Sequence, residues 1–241
     1  MGLTGIAFVA GFVSSIAGAG GMIVLPFLLW AGVPPLNALA TNKFQSVFGT
    51  LSSTVNFLRR GQLQLKPLVP AIVCAFVGAC VGTVAVQFLA LSVLEAALPY
   101  LLLLVALFFA VSPRISDTDS EPLMSAPTFN GVVGGGIGFY GGFFGPGMGS
   151  FYAIGFATLR GFNMRKATAA TKPLVLVTNT TAMLIFLWGG HIVWELAIVM
   201  ALAQALGARI GSGLVMRKGL VLVKPLLIIC TVAIATKLLL S

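Results

Sequence analysis

The chain has 241 residues, of which 59% are hydrophobic and only 8% are charged. A water-soluble domain of this length cannot bury so much apolar surface, so the composition excludes that class and predicts a polytopic helical membrane protein. The net charge of +9 would suggest nucleic-acid binding in a soluble protein, but most Lys and Arg residues here lie in short loops, where they set membrane orientation. We expect the lipid bilayer as a partner, and no nucleic acid.

Eight apolar segments follow one another along the chain. Two of them, 3–30 and 129–159, are interrupted by glycines within "GAGG" (from Gly18) and "FFGPGMGSF" (from Phe143). The other six reach the roughly 20 residues needed to cross hydrocarbon: 37–58, 67–90, 92–111, 164–188, 191–215 and 219–240. The predicted fold class is all-α, with each glycine-tipped segment forming a broken or re-entrant helical hairpin.

The two halves of the chain resemble each other at nearly constant spacing. Aligned pairs include Gly18/Gly145, Gly20/Gly147, Gly32/Gly161, Lys43/Lys172, Gly61/Gly190, Gly78/Gly207 and Gly82/Gly211. The predicted organisation is an N-terminal membrane repeat at 1–111, a polar linker at 112–128 and a C-terminal membrane repeat at 129–241. Each repeat holds one glycine-broken segment and three transmembrane helices.

The distribution of positive charge predicts the orientation of the repeats. Loops 59–66, 160–166 and 217–224 are rich in Lys and Arg, whereas loops 89–95 and 189–195 contain a glutamate instead. The rich loops share one face only if both glycine-broken segments enter and leave the membrane on the same side. This favours two re-entrant hairpins, six full spans and inverted repeats. A single kinked helix in each broken segment is the alternative.

The glycine tips are predicted to form an anion site near the middle of the bilayer. At each tip a second half-helix begins, and its first N–H groups lack intrahelical partners and carry partial positive charge. Glycine allows a ligand to approach this backbone, as at the broken helices of secondary transporters. The candidate substrate-binding glycines are Gly18, Gly20, Gly21, Gly145, Gly147 and Gly149.

The helices that follow the tips add polar side chains. Polar residues recur at steps of three and four in 37–58, which suggests a hydrated pathway, although interhelical hydrogen bonding explains any one of them. Lys43 and Lys172 lie about two turns inside their helices, where a charge either snorkels to the interface or holds an anion. The candidate substrate-binding side chains are Thr41, Asn42, Lys43, Gln45, Thr171, Lys172 and Asn179.

Catalytic and metal-binding arrangements are missing from the sequence. The single histidine, His191, follows Gly190 in a predicted loop, and no span contains the paired aspartates or the Ser–His pair that an intramembrane protease would need. The three cysteines lack metal-ligand spacing. We predict no enzymatic activity, no cofactor and no metal site.

Four motifs resemble the TauE/SafE sulfite-exporter-like family of bacterial membrane transporters. They are "GFVSSIAGAGGMIVLP", "NALATNKFQ", "GFYGGFFGPGMGSF" and "GFNMRKATAATK", and the likeness covers nearly the whole chain, in the subgroup with the A-T-N-K-x-Q motif. The resemblance implies transport of small sulfur-containing anions such as sulfite or organosulfonates. It also implies that the glycine tips and the segments around Thr41-Asn42-Lys43 and Thr171-Lys172 build the translocation site.

The chain departs from this subgroup at two repeat-related positions. The resemblance implies an Asp at each, but the residues here are Ser14 and Gly141. If those acids bind a coupling proton, this protein is uncoupled or couples elsewhere. If they cap the hairpins, Ser14 replaces the cap on one side only.

The sequence therefore predicts a secondary anion transporter in the bacterial inner membrane, working by alternating access around a midplane site. The alternatives are a passive anion channel and a membrane binding or sensor subunit that does not transport. A small anionic substrate is the expected partner. The oligomeric state is open, with a homodimer among the alternatives.

Overall fold

The structure, a computed structural model, describes residues 2–111 and 118–218. Over these residues every regular element is helical. The predicted span at 219–240 and the first part of the linker lie outside the described residues. The helices are α1 (Gly2–Ala17), α2 (Gly20–Trp30), α3 (Pro35–Arg59), α4 (Val69–Gln87), α5 (Leu91–Val111), α6 (Ala126–Phe129), α7 (Gly136–Phe143), α8 (Met148–Arg160), α9 (Met164–Trp188) and α10 (Trp194–Lys218).

Two short elements complete the helices. A single 3₁₀ turn, Lys66–Leu68, leads into α4, and a π-helical stretch, Asn130–Gly135, joins α6 to α7 without a break. A run of small residues, three of them glycines, from Asn130 to Gly135 suits a wider helical turn because few side chains crowd it. The segment from Ala126 to Phe143 is therefore one continuous helical rod.

Three helices within the described ranges are long and apolar enough to cross a membrane: Lys66–Gln87, Met164–Trp188 and Trp194–Leu214. Helix α3 has 25 residues but carries a polar face, which lowers its hydropathy. Within α5 the apolar stretch Ser92–Val105 is shorter. Five of the six predicted spans thus correspond to helices α3, α4, α5, α9 and α10, and three of them also meet the hydropathy requirement.

Helix α1 is separated from α2 at Gly18, where φ is +73°. A Cβ at Gly20, the first residue of α2, would lie 2.6 Å from both the Ala10 carbonyl oxygen and the Ser14 Cβ. In an uninterrupted helix Gly20 would be about 15 Å along the axis from Ala10. Helix α2 therefore begins beside α1 and does not continue its axis. We call α1 and α2 the first hairpin.

Helix α8 runs back along the rod formed by α6 and α7. Its Tyr152 hydroxyl donates to the Gly134 carbonyl at 2.9 Å, and the Phe156 ring lies 4.7 Å from the ring of Phe129. At its end, the Met124 N–H donates to the Leu159 carbonyl at 3.0 Å. These contacts pair later residues of α8 with progressively earlier residues of the rod. We call residues 126–160 the second hairpin.

Glycines bring the hairpins into close contact with long helices from the other half of the chain. Gly207 of α10 faces the Phe8 carbonyl of α1, and Gly78 of α4 faces the Gly135 carbonyl of the rod, with no room for a Cβ at either glycine. Such backbone contact is characteristic of helix packing through small residues in membranes. The first hairpin therefore packs on α10, and the second hairpin packs on α4.

Candidate functional site

The two glycine tips meet backbone to backbone. A Cβ at Gly18 would lie 2.5 Å from the Gly149 carbonyl carbon, and a Cβ at Gly149 would lie 2.7 Å from the Gly18 Cα. The Ser150 hydroxyl of the second tip donates to the Ala17 carbonyl of the first. Only glycine at both positions permits this approach, since any side chain would separate the tips.

Backbone N–H groups are available where the second half-helices begin. Within the described ranges, the N–H groups of Gly20 and Gly21 at the start of α2, and of Gly149 at the start of α8, donate to no recorded acceptor. Gly147 ends the loop before α8 with φ at +80°, and its carbonyl accepts from the Ser150 N–H at 2.9 Å. Unpaired donors at helix starts attract negative charge.

Lys43 of α3 extends to the second tip. Its side chain is 1% exposed, and its Nζ donates to the Gly141 carbonyl in the last turn of α7. Gly145, with φ at +99°, lies so close that a Cβ there would overlap the ammonium group. The lysine does not snorkel toward a helix end, because its charge is held at the hairpin.

Lys172 of α9 makes the equivalent contact with the first tip. It is 3% exposed, and its Nζ donates to the Ser14 carbonyl at 3.3 Å, in the last turn of α1. The ammonium group also lies 5.9 Å from the centre of the Phe57 ring. Each lysine therefore belongs to the helix that follows one hairpin and reaches the tip of the other hairpin.

No acidic side chain neutralises these lysines in the part of the chain that the structure describes. The one ion pair found there joins exposed Lys166, in the first turn of α9, to exposed Asp119 of the linker at 3.3 Å. Both lysine ammonium groups instead contact backbone carbonyls. Two buried lysine side chains and the unpaired N–H groups at the helix starts therefore lie at the two tips.

Asn42 and Gln45 lie beside the first tip. The Asn42 amide nitrogen is 3.2 Å from the position a Cβ would take at Gly21, and the Gln45 amide donates to Asn42 Oδ1 at 3.3 Å. Gln45 is fully buried, and its Oε1 has no hydrogen-bond partner among the described residues. Asn42 therefore lies directly beside the first tip, and Gln45 is linked to the tip through Asn42.

Three of the sequence-predicted residues make their hydrogen bonds elsewhere. Thr41 accepts from the Val193 N–H at 3.1 Å, before the start of α10. Thr171 donates to the Thr168 carbonyl within α9 at 2.8 Å. Asn179 reaches the Thr50 hydroxyl of α3 at 3.5 Å. The structure engages these three side chains in helix packing and brings none of them to a tip by a hydrogen bond.

The comparisons with known proteins agree with one another. The family model described as Sulfite exporter TauE/SafE matches residues 3–238. The chain belongs to the TauE/SafE family. It is 44% identical to "Probable membrane transporter protein ORF9" of Sinorhizobium sp. over 97% of this chain and 89% of that protein. No solved structure matches the chain.

Two further relatives carry similar names. "Probable membrane transporter protein YfcA" of Escherichia coli K12 is 43% identical over 97% of this chain and 87% of its own length. "Probable membrane transporter protein" of Haemophilus influenzae is 37% identical over 97% and 91%. This TauE/SafE chain is therefore a membrane transporter with several apolar helices, of a kind found in bacteria. The names indicate a transporter rather than an enzyme.

In this TauE/SafE protein the polar residues of α3 lie on one face, and those in the second half of the helix form hydrogen bonds to α10. Ser52 donates to the Ala205 carbonyl at 2.9 Å, and the Asn56 amide donates to the Ser212 hydroxyl at 2.7 Å, both in α10. Interhelical hydrogen bonding, the alternative to a hydrated pathway, thus accounts for these two residues. In the first half of this polar face, Asn42 lies beside the first tip and Gln45 donates to Asn42.

Sequence reasoning did not place four contributors in the site. Ser14 and Gly141 contribute backbone carbonyls, Ser150 links the tips, and the Tyr140 hydroxyl donates to the Pro146 carbonyl at 2.5 Å. The repeat alignment pairs Ser14 with Gly141 and so could have pointed to both carbonyls. No comparable signal was available for Ser150 or Tyr140, because these contacts depend on how the hairpins fold back.

Proposed function

We propose that this protein is a secondary transporter of small anions, of the sulfite or organosulfonate class, with its site where the two glycine tips meet. One observation carries the proposal: Lys43 and Lys172 bring two buried ammonium groups to the tips, and no described carboxylate contacts them. A buried cation without an opposite charge is costly. A bound anion offsets that cost and thereby gains affinity.

The repeat-related contacts support an inverted-repeat mechanism. The bond from Lys43 to Gly141 and the bond from Lys172 to Ser14 join aligned positions of the two halves. The packing of Gly207 on Phe8 and of Gly78 on Gly135 is equivalent in the same way. Two halves with matching contacts can exchange conformations of similar free energy, which is the basis of alternating access in inverted-repeat transporters.

The loop contacts support six spans with two re-entrant hairpins. The Arg60 guanidinium lies 4.0 Å from the Cβ position of Gly213, near the end of α10, which groups the 59–66 loop with the basic end of that helix. At the other face, Gln87 at the end of α4 lies close to Gly189. With the basic face toward the cytoplasm, the protein is a multi-pass protein of the bacterial inner membrane.

The size of the site suits a small anion. The tips are in direct contact at Gly18 and Gly149, so a large ligand does not fit between these two glycines. Oxygens of a sulfite or sulfonate group can accept from several N–H donors at once, as phosphate does at helix starts. The description of the matching family as sulfite exporters favours the same class.

The first test measures sulfite uptake by the purified protein in sealed proteoliposomes. Loss of a hydrogen bond to a charged group costs about 1.5–3 kcal/mol, so Lys43→Ala and Lys172→Ala are each expected to weaken apparent affinity on the order of 10- to 100-fold. Lys66→Ala removes an exposed lysine from the 3₁₀ turn before α4 and serves as the matched control. Unchanged uptake by both tip variants would contradict the role of the lysines.

The same vesicles separate the proposed function from its alternatives. Alternating access requires saturable uptake and counterflow, in which internal substrate accelerates entry of labelled substrate. Flux without saturation or counterflow would identify a passive channel. Binding without any flux would identify a membrane binding subunit.

A further inference from the structure

We propose that Lys43 and Lys172 serve as built-in cations at the two half-helix ends where a coupling cation binds in other broken-helix transporters. The proposal rests on the proposed function and identifies the two lysines as the groups that complete the same site. It implies that the anion site of this protein forms without a bound Na⁺ at either hairpin.

Both lysines contact the negative end of a half-helix. Gly141 lies in the last turn of α7, and Ser14 lies in the last turn of α1. The last carbonyls of a helix carry partial negative charge. The Ser14 carbonyl also accepts from the Gly18 N–H at 2.8 Å, so the Lys172 ammonium is its second donor. In transporters with discontinuous helices, such ends and the unwound carbonyls next to them coordinate Na⁺ or H⁺. Here an ammonium group from another helix occupies this environment at both hairpins.

Other carbonyls at the tips are already satisfied by neutral donors. The Ala17 carbonyl accepts from the Ser150 hydroxyl, and the Pro146 carbonyl accepts from the Tyr140 hydroxyl. The lysines are therefore the groups that bring positive charge to these ends. Their position is also sterically prepared at the second tip, since Gly145 has no side chain to exclude the Lys43 ammonium.

The two cations change the field that an anion meets at the tips. At each hairpin the negative end of the first half-helix lies next to the positive start of the second half-helix. An ammonium group on the negative end cancels its partial charge and leaves the donors of Gly20, Gly21 and Gly149 dominant. A free cation would have the same effect, but only when bound. A tethered ammonium group supplies the same effect without a separate ion.

Chemical rescue tests the proposal on the purified full chain. Lys43→Ala removes the side chain beyond Cβ, and n-propylammonium matches the deleted carbons and the ammonium group. We expect n-propylammonium to raise the melting temperature of Lys43→Ala by roughly 3 °C or more. Tetramethylammonium, which cannot donate a hydrogen bond, should have no effect. Lys172→Ala provides an independent second test if Lys43→Ala does not fold.

Two controls distinguish the rescued site from a general salt effect. Lys43→Met fills the space with an apolar chain and should not respond to n-propylammonium. The wild-type protein should not respond to n-propylammonium or Na⁺, and its sulfite uptake should be the same when Na⁺ is replaced by choline. A Na⁺ requirement in the wild type, or equal responses of wild type and both Ala variants, would overturn the proposal.

The outcome is separable from that of the proposed function. Stabilisation of the wild type by sulfite tests the anion site, whereas n-propylammonium rescue tests the carbonyl ends. If no oxyanion stabilises the wild type, the proposed function fails, whatever the amine does. If sulfite stabilises the wild type but neither Ala variant responds to the amine, the built-in cation is wrong and the anion site stands.

Discussion

Gly145 has a left-handed backbone, and the Lys43 ammonium group occupies the space that a Cβ at this position would need. The residue has φ at +99°, and a Cβ would overlap Nζ. Its repeat partner Gly18 has φ at +73° and meets the backbone of Gly149 instead. At the scale of single residues, each tip therefore has one glycine that is required both for its backbone angle and for a close contact.

Gly145→Ala is expected to destabilise the protein more than Gly32→Ala does. Gly32 also has a left-handed backbone, with φ at +80°, but nothing lies within 4 Å of its Cβ position. Both variants incur the backbone cost of about 1–2 kcal/mol, while only Gly145→Ala also displaces the Lys43 ammonium group. Thermal unfolding in detergent measures the difference. Equal melting temperatures for the two variants would show that the lysine contact is unimportant for stability.

At the scale of elements, two glycine-lined helix faces hold the hairpins. Gly207 and Gly211 of α10 pack on the Phe8 and Phe12 carbonyls of α1, and Gly78 and Gly82 of α4 pack on the rod in the same manner. The close backbone contact adds dispersion and weak Cα–H···O interactions. These faces position each tip relative to the lysine that reaches it.

Gly207→Ala is expected to destabilise the contact between α10 and the first hairpin. A Cβ there overlaps the Phe8 carbonyl, which is backbone and cannot rotate away. Forcing an extra methyl group into a packed contact costs roughly 1–3 kcal/mol. Gly213→Ala in the same helix is the control, since its nearest neighbour is an Arg60 nitrogen at 4.0 Å. Thermal unfolding should separate the two variants, and a smaller loss in Gly207→Ala than in Gly213→Ala would refute the packing role.

At the scale of the whole molecule, the described part of the linker is hydrogen-bonded to the end of α8 and the start of α9. The Ser120 N–H donates to the Gly161 carbonyl at 2.8 Å, and the Arg160 guanidinium donates to the Met124 carbonyl. The Asp119 carboxylate accepts from the Asn163 N–H at 2.6 Å and pairs with Lys166.

Asp119→Asn is expected to loosen this attachment. The Asn163 N–H, with Lys166, lowers the pKa of Asp119 below its ordinary value. Because the folded pKa is the lower one, the stabilisation is present above about pH 4 and is lost as the pH falls through the lowered pKa. Hydrogen exchange at Asn163 should therefore be several-fold faster in Asp119→Asn at neutral pH.

Glu121→Gln is the matched control for that measurement. It removes one exposed carboxylate from the same segment, and Glu121 takes part in no ion pair recorded among the described residues. Exchange at Asn163 should stay at the wild-type rate in this variant. Equal acceleration in both variants would assign the effect to net charge and not to the Asp119 contacts.

The sequence alone predicted the five spans that the structure describes as helices, and it predicted the two glycine breaks. A helix in lipid must satisfy its own backbone hydrogen bonds, so it needs an unbroken apolar stretch. The apolar segments of the sequence therefore predicted α4, α9 and α10. Glycines at Gly18 and Gly145 marked the breaks, because only glycine adopts those angles without cost. The repeat spacing paired Lys43 with Lys172. The domain boundaries and the substrate stay predictions.

Only the tertiary structure decided which groups meet. Nothing local to Lys43 or Lys172 specifies that each reaches the opposite hairpin, since that depends on how α3 and α9 cross the tips. The same holds for Thr41, which accepts from the loop residue Val193, and for Asn179, which donates to Thr50 of α3. Periodicity fixes the face of a helix on which a side chain lies, whereas its partner is fixed by packing between segments far apart in the chain.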